Sequence, residues 1–170
     1  MKSRTNKYIK IFATGGTFDK EFNEIDGSLY FKETNLFKLL DLGRSNVEVS
    51  IETLMMVDSL DMTNAERQYI LDKCNYEKSN KIIITHGTDT MVQTAAFLAK
   101  GIKEKVVILT GAMIPIKFGS SDGLFNLGSA LSFAQTLKPG VYITMNGQYF
   151  TWDNVQKNKK IGIFERVKSS

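Results

Sequence analysis

The chain has 170 residues, 42% hydrophobic and 24% charged, the size and composition of one globular domain rather than of a fibre or a disordered tail. Cys74 and His86 are its only cysteine and histidine, which excludes a disulfide framework and zinc sites built from Cys and His. The net charge of +4 sits at the ends: residues 1–10 and 152–170 together carry +7 and the middle −3, a pattern of solvated tails rather than of a nucleic-acid face.

No apolar run reaches the roughly 18 residues that span a bilayer. The basic segment Met1 to Lys7 leads into a strand-like run without a small-residue cleavage site, so the expected location is the cytoplasm.

Taken in chain order, Tyr8 to Ala13 reads as a strand that ends in Thr14-Gly15-Gly16-Thr17. Residues 18–33 read as a mobile hairpin with Asp26-Gly27 at its turn. Asn35 to Asp41 reads as a short helix stopped by Gly43, and Val47 to Leu54, rich in β-branched residues, as a strand. Thr63 and Glu66 form a capping-box pattern for a helix whose Ile70, Leu71 and Cys74 share one stripe. Lys81 to Thr85 and Val106 to Leu109 are continuous apolar strands of the fully buried kind. Met91 to Lys100 and Leu124 to Leu137 are helical, the latter with Gly128 expected to allow close packing, and Val141 to Met145 is expected to be the last strand.

This alternation predicts an α/β fold: three layers (α/β/α) around a mainly parallel, Rossmann- or flavodoxin-like sheet, with a flexible hairpin flap after the first strand, as one domain over residues 1–170. Ligands of such sheets sit at the carboxyl ends of the strands. Four strands end there in a hydroxyl residue with a glycine close behind, at Thr14, Thr85, Thr110 and Thr144, so that edge is the expected site.

Two segments could carry chemistry. Thr14-Gly15-Gly16-Thr17 lets backbone approach a ligand closely and presents the Thr17 hydroxyl, but matches neither the dinucleotide fingerprint nor the P-loop pattern. His86-Gly87-Thr88-Asp89-Thr90 precedes a helix, and Thr88 or Asp89 could cap it and do nothing more. His86 suits a general base by its ordinary pKa, yet no Gly-x-Ser-x-Gly elbow accompanies it. A threonine nucleophile needs a base, here a lysine, a tyrosine or a carboxylate; Lys157 is a candidate if burial lowers its pKa, with Asp89 to orient it. Tyr149, Phe150 and Trp152 read as packing residues.

Ala13 to Thr17 and Ile84 to Met91 together resemble the two signature motifs of bacterial-type L-asparaginases. The similarity continues in family order through Asp58 to Met62, Thr110 to Pro115, Ser121 to Leu127 and Val155 to Asn158, covering essentially the whole chain. The resemblance implies Thr17 as primary nucleophile, Tyr30 on the flap as its aid, and Thr88, Asp89 and Lys157 as the second catalytic group. It also implies Gly16, Ser59, Gly87, Thr88, Asp89 and Ala112 around the substrate, with Ser59 on its α-carboxylate and Asp89 on its α-ammonium.

The implied reaction is hydrolysis of the side-chain amide of L-asparagine or a related small amide, without cofactor or metal. Leu60 stands where the family commonly has glutamine, and the family's C-terminal domain, source of a further carboxylate across a subunit interface, has no counterpart in the 170 residues. A homo-oligomer is therefore expected, with no nucleic-acid or membrane partner. The rival expectations are a non-catalytic amino-acid-binding module or partner subunit and, less favoured, a nucleotide-binding domain that uses the Gly15-Gly16 turn.

Overall fold

A computed structural model describes residues 8–167. The strand-like apolar runs form β1 (Ile9–Gly15), β4 (Val49–Val57), β5 (Lys81–Thr85), β6 (Val106–Thr110) and β7 (Gly140–Met145). These pair in parallel in the order β4-β1-β5-β6-β7, and β8 (Gln148–Thr151) adds an antiparallel edge to β7. The expected mainly parallel sheet is present. Since β4 and β5 flank β1 on opposite sides, the strand order reverses at the β1/β5 boundary, the place where open α/β sheets bind ligands.

Period-2 alternation within the apolar runs feeds two cores. Ile82 and Ile84 join Phe12, Val107 and Leu109 beneath α2 (Asn64–Tyr76) and α3 (Met91–Ala99). Ile83 joins Ile9, Ile11 and Ile108 beneath α1 (Leu36–Leu42) and α4 (Gly123–Thr136) on the other face. Helix α2 starts as the sequence reads: Thr63 Oγ1 accepts from Glu66 N while the Glu66 carboxylate accepts from Thr63 N, satisfying two end groups at once.

The expected hairpin is β2 (Lys20–Phe22) paired antiparallel with β3 (Leu29–Phe31), with Glu21 opposite Tyr30.

Three expectations are corrected. Val141 to Met145 does not end the strands: the chain reverses through Asn146 (φ 55°) and Gly147 (φ 76°) into β8, and β9 (Gln156–Asn158) then pairs with β10 (Ile163–Glu165). Gly128 does not allow close packing, since nothing lies within 4 Å of a methyl placed on it. Neither Thr88 nor Asp89 caps α3; Thr90 takes that position without a side-chain capping bond, its hydroxyl donating instead to Ser59 O at 2.8 Å.

Candidate active site

The carboxyl ends of β1 and β5 meet backbone to backbone. A Cβ built on Gly16 would lie 2.5 Å from Gly87 Cα, and one on Gly87 would lie 2.5 Å from Ser59 Cβ and Oγ. Gly16 thus rests on Gly87 and Gly87 on Ser59, which brings the segments of Thr17, Thr88 and Ser59 together although they are far apart in sequence. Gly16 also has φ 77° and ψ −174°, a region essentially reserved for glycine. The turn is no open phosphate cradle: Gly16 N–H already donates to Val57 O at 3.1 Å, and the glycine faces Gly87.

The strand-end hydroxyls divide into two sets. Thr14 donates to Thr85 O at 2.7 Å and Thr110 to Thr144 O at 2.8 Å, all four residues being fully buried. The Thr14 and Thr110 hydroxyls tie neighbouring strands together and do not face a ligand, which corrects the expectation for those two; the Thr85 and Thr144 hydroxyls are buried without a hydrogen-bond partner. Thr17 and Ser59 differ: among the described residues nothing hydrogen-bonds either hydroxyl.

From β9, Lys157 Nζ donates to Thr88 Oγ1 and to Asp89 Oδ1, both at 2.8 Å. The lysine side chain is 12% exposed and that of Asp89 40%, so the cation is sheltered while the carboxylate meets solvent. Tyr30 is exposed on the flap, with its hydroxyl donating to Glu21 Oε2 at 3.3 Å rather than to Thr17. Glu21 also pairs with Lys117 at 3.3 Å, and Phe22 meets Phe118 edge to face. These contacts dock the hairpin on the short 3-10 turn Ile116–Phe118.

Buried Ala112 lies in a loop held by Asp122, whose carboxylate accepts from Met113 N and Ile114 N. Asn126 Nδ2 donates to Gly111 O at 2.9 Å and its Oδ1 accepts from Asn146 N, clasping the ends of β6 and β7.

Three further residues escaped the sequence reading. Lys20, one turn past Thr17, forms an ion pair with Asp58, which precedes Ser59, so a salt bridge joins the two free-hydroxyl turns. Arg67 is buried behind the Ser59 turn. Asp19, fully buried, accepts from Thr34 Oγ1 and Asn35 N through Oδ1, clasping the base of the hairpin, while its Oδ2 has no partner.

Burial pushes the Asp19 carboxyl up to about 6 against the bonds from Asn35 and Thr34. Burial likewise pushes His86 down to about 4, helped by the Arg67 charge and opposed by the bond to Gly87 O. His86 is fully enclosed, with Nδ1 2.7 Å from Gly87 O and Nε2 3.2 Å from the Met62 sulfur. It is a neutral structural ring here, not a base open to substrate. Cys74, also fully buried, has its thiol pushed up to about 12 and is inert.

Asp19 and His86 oppose each other in the pH dependence of stability. Asp19, raised when folded, contributes stability below its unfolded pKa of 3.8 that is lost as pH rises through about 6. His86, lowered when folded, contributes stability above its unfolded 6.5 that is lost as pH falls through about 4. The two nearly cancel between pH 4 and 6.5. Urea titrations of Asp19→Asn in that window are expected to show stability rising with pH by about 3 kcal/mol, where the parent stays nearly flat. An equally flat profile for Asp19→Asn would contradict these protonation states.

Glycine turns, the free hydroxyls of Thr17 and Ser59 and the Lys157-Thr88-Asp89 cluster thus gather at the switch point of a doubly wound α/β sheet. Residues 8–165 match the family model "Asparaginase, N-terminal". The chain belongs to the asparaginase family. It is 33% identical over 159 residues to L-asparaginase 2 of Escherichia coli K12, covering 88% of this chain and 46% of that one. It is 27% identical over 161 residues to the L-asparaginase of Thermococcus kodakarensis, covering 91% and 49%. The structure of the thermostable T. kodakarensis L-asparaginase superposes with TM-score 0.84 at 25% identity, over 96% of this chain and 52% of that one. A probable cytoplasmic L-asparaginase from Campylobacter jejuni gives TM-score 0.81 at 28% identity, over 94% and 53%. The chain spans about half the length of the curated relatives it matches.

Proposed function

We propose that the protein is an amidohydrolase that converts the side-chain amide of L-asparagine, or of a related small amide, to the acid and ammonia through a threonine acyl-enzyme. The observation that carries this reading is the meeting of Lys157, Thr88 and Asp89 next to the Gly16–Gly87 contact, one residue from the free hydroxyl of Thr17. Thr17 and Thr88 directly follow the two touching glycines, so their backbones start from adjacent points.

Thr17 Oγ1 attacks the amide carbon while its proton passes to the Thr88–Lys157 pair, which delivers a proton to the departing nitrogen. The C–N bond breaks, ammonia leaves and a threonine ester remains. Water then attacks the ester carbonyl, the acid departs and Thr17 regains its proton. Backbone N–H groups of the glycine turns and the Thr88 hydroxyl stabilise the oxyanion. Asp89 fixes the lysine head group and, with its exposed oxygen edge, receives a substrate ammonium. Tyr30 assists from the flap after leaving Glu21.

We further place the protein in the cytoplasm as a homo-oligomer. Among the described residues no helix is long and apolar enough to cross a membrane.

An ammonia-release screen over asparagine, glutamine, their D-forms and simple amides tests the reading. Turnover of at least one amide is expected, with Thr17→Ala and Thr88→Ala each lowering it at least a thousandfold, about 4 kcal/mol of barrier, at unchanged melting temperature. The free Ser59 hydroxyl and the solvent-facing Asp89 carboxylate also suit one alternative, a binding module that retains the pocket. Thermal stabilisation by aspartate or asparagine with no turnover of any amide would select it.

A further inference from the structure

Arg67, on α2, is 7% exposed and makes four hydrogen bonds. Nε donates to Thr94 Oγ1 at 2.9 Å, Nη1 to Met62 O at 3.1 Å and to Asn64 Oδ1 at 3.2 Å, and Nη2 to Thr90 Oγ1 at 3.3 Å. Every acceptor is a neutral oxygen. Among the described residues no carboxylate forms a salt bridge with Arg67, and its sequence neighbour Glu66 is engaged in the capping box. Burying a guanidinium without a counter-ion costs the fold more than a neutral side chain of that size would.

The partners show where the charge acts. Met62 closes the turn that carries Ser59, its N–H donating to Ser59 O at 3.3 Å. Thr90 follows Asp89, and its hydroxyl donates to the same Ser59 carbonyl at 2.8 Å. One planar fork thus binds the back of the Ser59 turn and, through Thr90, the end of the Thr88–Asp89 segment: the two segments that flank Gly87. The ionic groups assigned to the site, Lys157 with Asp89 and Lys20 with Asp58, are paired. Arg67 sets a positive charge that no salt bridge meets behind Ser59, whose own hydroxyl is free.

We propose that Arg67 is a positioning residue whose charge, met by no salt bridge among the described residues, makes the Ser59 turn receptive to an anion. The proposal rests on the amidohydrolase reading and adds to it a residue and a charge requirement. Arg67 touches no substrate; it acts through Thr90 and Met62.

The test compares L-asparagine with its α-amide, in which the carboxylate is neutral, in kcat and KM, and measures L-aspartate binding by calorimetry, in the parent, Arg67→Met and Arg67→Lys. Arg67→Met is expected to raise KM for asparagine and weaken aspartate at least tenfold while changing KM for the α-amide less than threefold, with kcat lowered alike for both substrates because the fork is lost as well. Arg67→Lys keeps the charge but not the fork: it should retain most of the aspartate affinity and lose kcat.

If Arg67→Met does not fold, Thr90→Val, which cuts the link to Ser59 and spares the charge, should lower kcat without abolishing the preference for asparagine over its α-amide. Equal losses of affinity for charged and neutral ligands in Arg67→Met, or a Thr90→Val variant that no longer prefers asparagine to its α-amide, would overturn the proposal, as would a parent protein with no affinity for aspartate. A parent that binds aspartate tightly but hydrolyses no amide would sink the amidohydrolase reading, and the calorimetry would still decide the role of Arg67.

Discussion

Replacing Gly16 by alanine is expected to destabilise the protein by about 4 kcal/mol and to abolish any activity of the site. Two costs combine. The backbone at φ 77°, ψ −174° lies where a side chain costs about 1–3 kcal/mol, and the new methyl would press on Gly87 Cα at 2.5 Å, an overpacking of about 1–3 kcal/mol that backbone cannot relieve by changing a rotamer. Two other glycines separate the terms. Gly27→Ala carries a positive φ of 74° in open space and should cost about 1 kcal/mol. Gly87→Ala has no such φ but drives its methyl into Ser59, so it should fall between the other two while displacing Ser59. Urea denaturation of the three variants checks the order; Gly16→Ala no worse than Gly27→Ala would mean that the two turns do not meet as described.

Lys157→Met is expected to separate catalysis from stability. The ammonium is the group that joins Thr88 to Asp89, and its removal takes away the orientation of both partners and, with it, the proton relay proposed behind Thr88. Loss of a positioned acid–base group typically costs two to four decades, so turnover should fall about a thousandfold. Stability should move by no more than about 1 kcal/mol, because the Asp89 side chain is 40% exposed and water replaces the lost cation. Steady-state kinetics beside a thermal melt checks this. Activity within tenfold of the parent would remove Lys157 from the mechanism, whereas an unfolded variant would mean that the pair holds β9 in place.

The fold was legible wherever a strand is a continuous apolar run, as at Ile82 to Ile84, because burial on both faces leaves no polar position to confuse the period. It was illegible after Met145. Strand β8 is four residues long and exposed at all but Phe150, and β9 contains Gln156, Lys157 and Asn158, with no apolar alternation to detect. The Asn146-Gly147 pair was nevertheless a hairpin signal, since both residues take the positive φ that such turns require. The site residues were named from motifs, but their meeting was not readable: no spacing says that Gly16 rests on Gly87, or that Lys157 returns to Thr88 from 69 residues away.

Arg67 was overlooked because arginine reads as a solvent-facing residue. Its position held the clue, since 67, 70, 71 and 74 form one helical stripe and the other three members are buried. Asp19 offered no such pattern; only the packed structure shows it clasping the hairpin base.

The covalent threonine ester is the central step of the proposed reaction. The most direct measurement is acid quenching of the protein during turnover of the best amide from the screen, followed by peptide mass mapping. The expected result is an acyl adduct on the peptide that contains Thr17, absent from Thr17→Ala and diminished in Lys157→Met. An adduct on Ser59 or Thr88 instead, or steady ammonia release from Thr17→Ala, would contradict it.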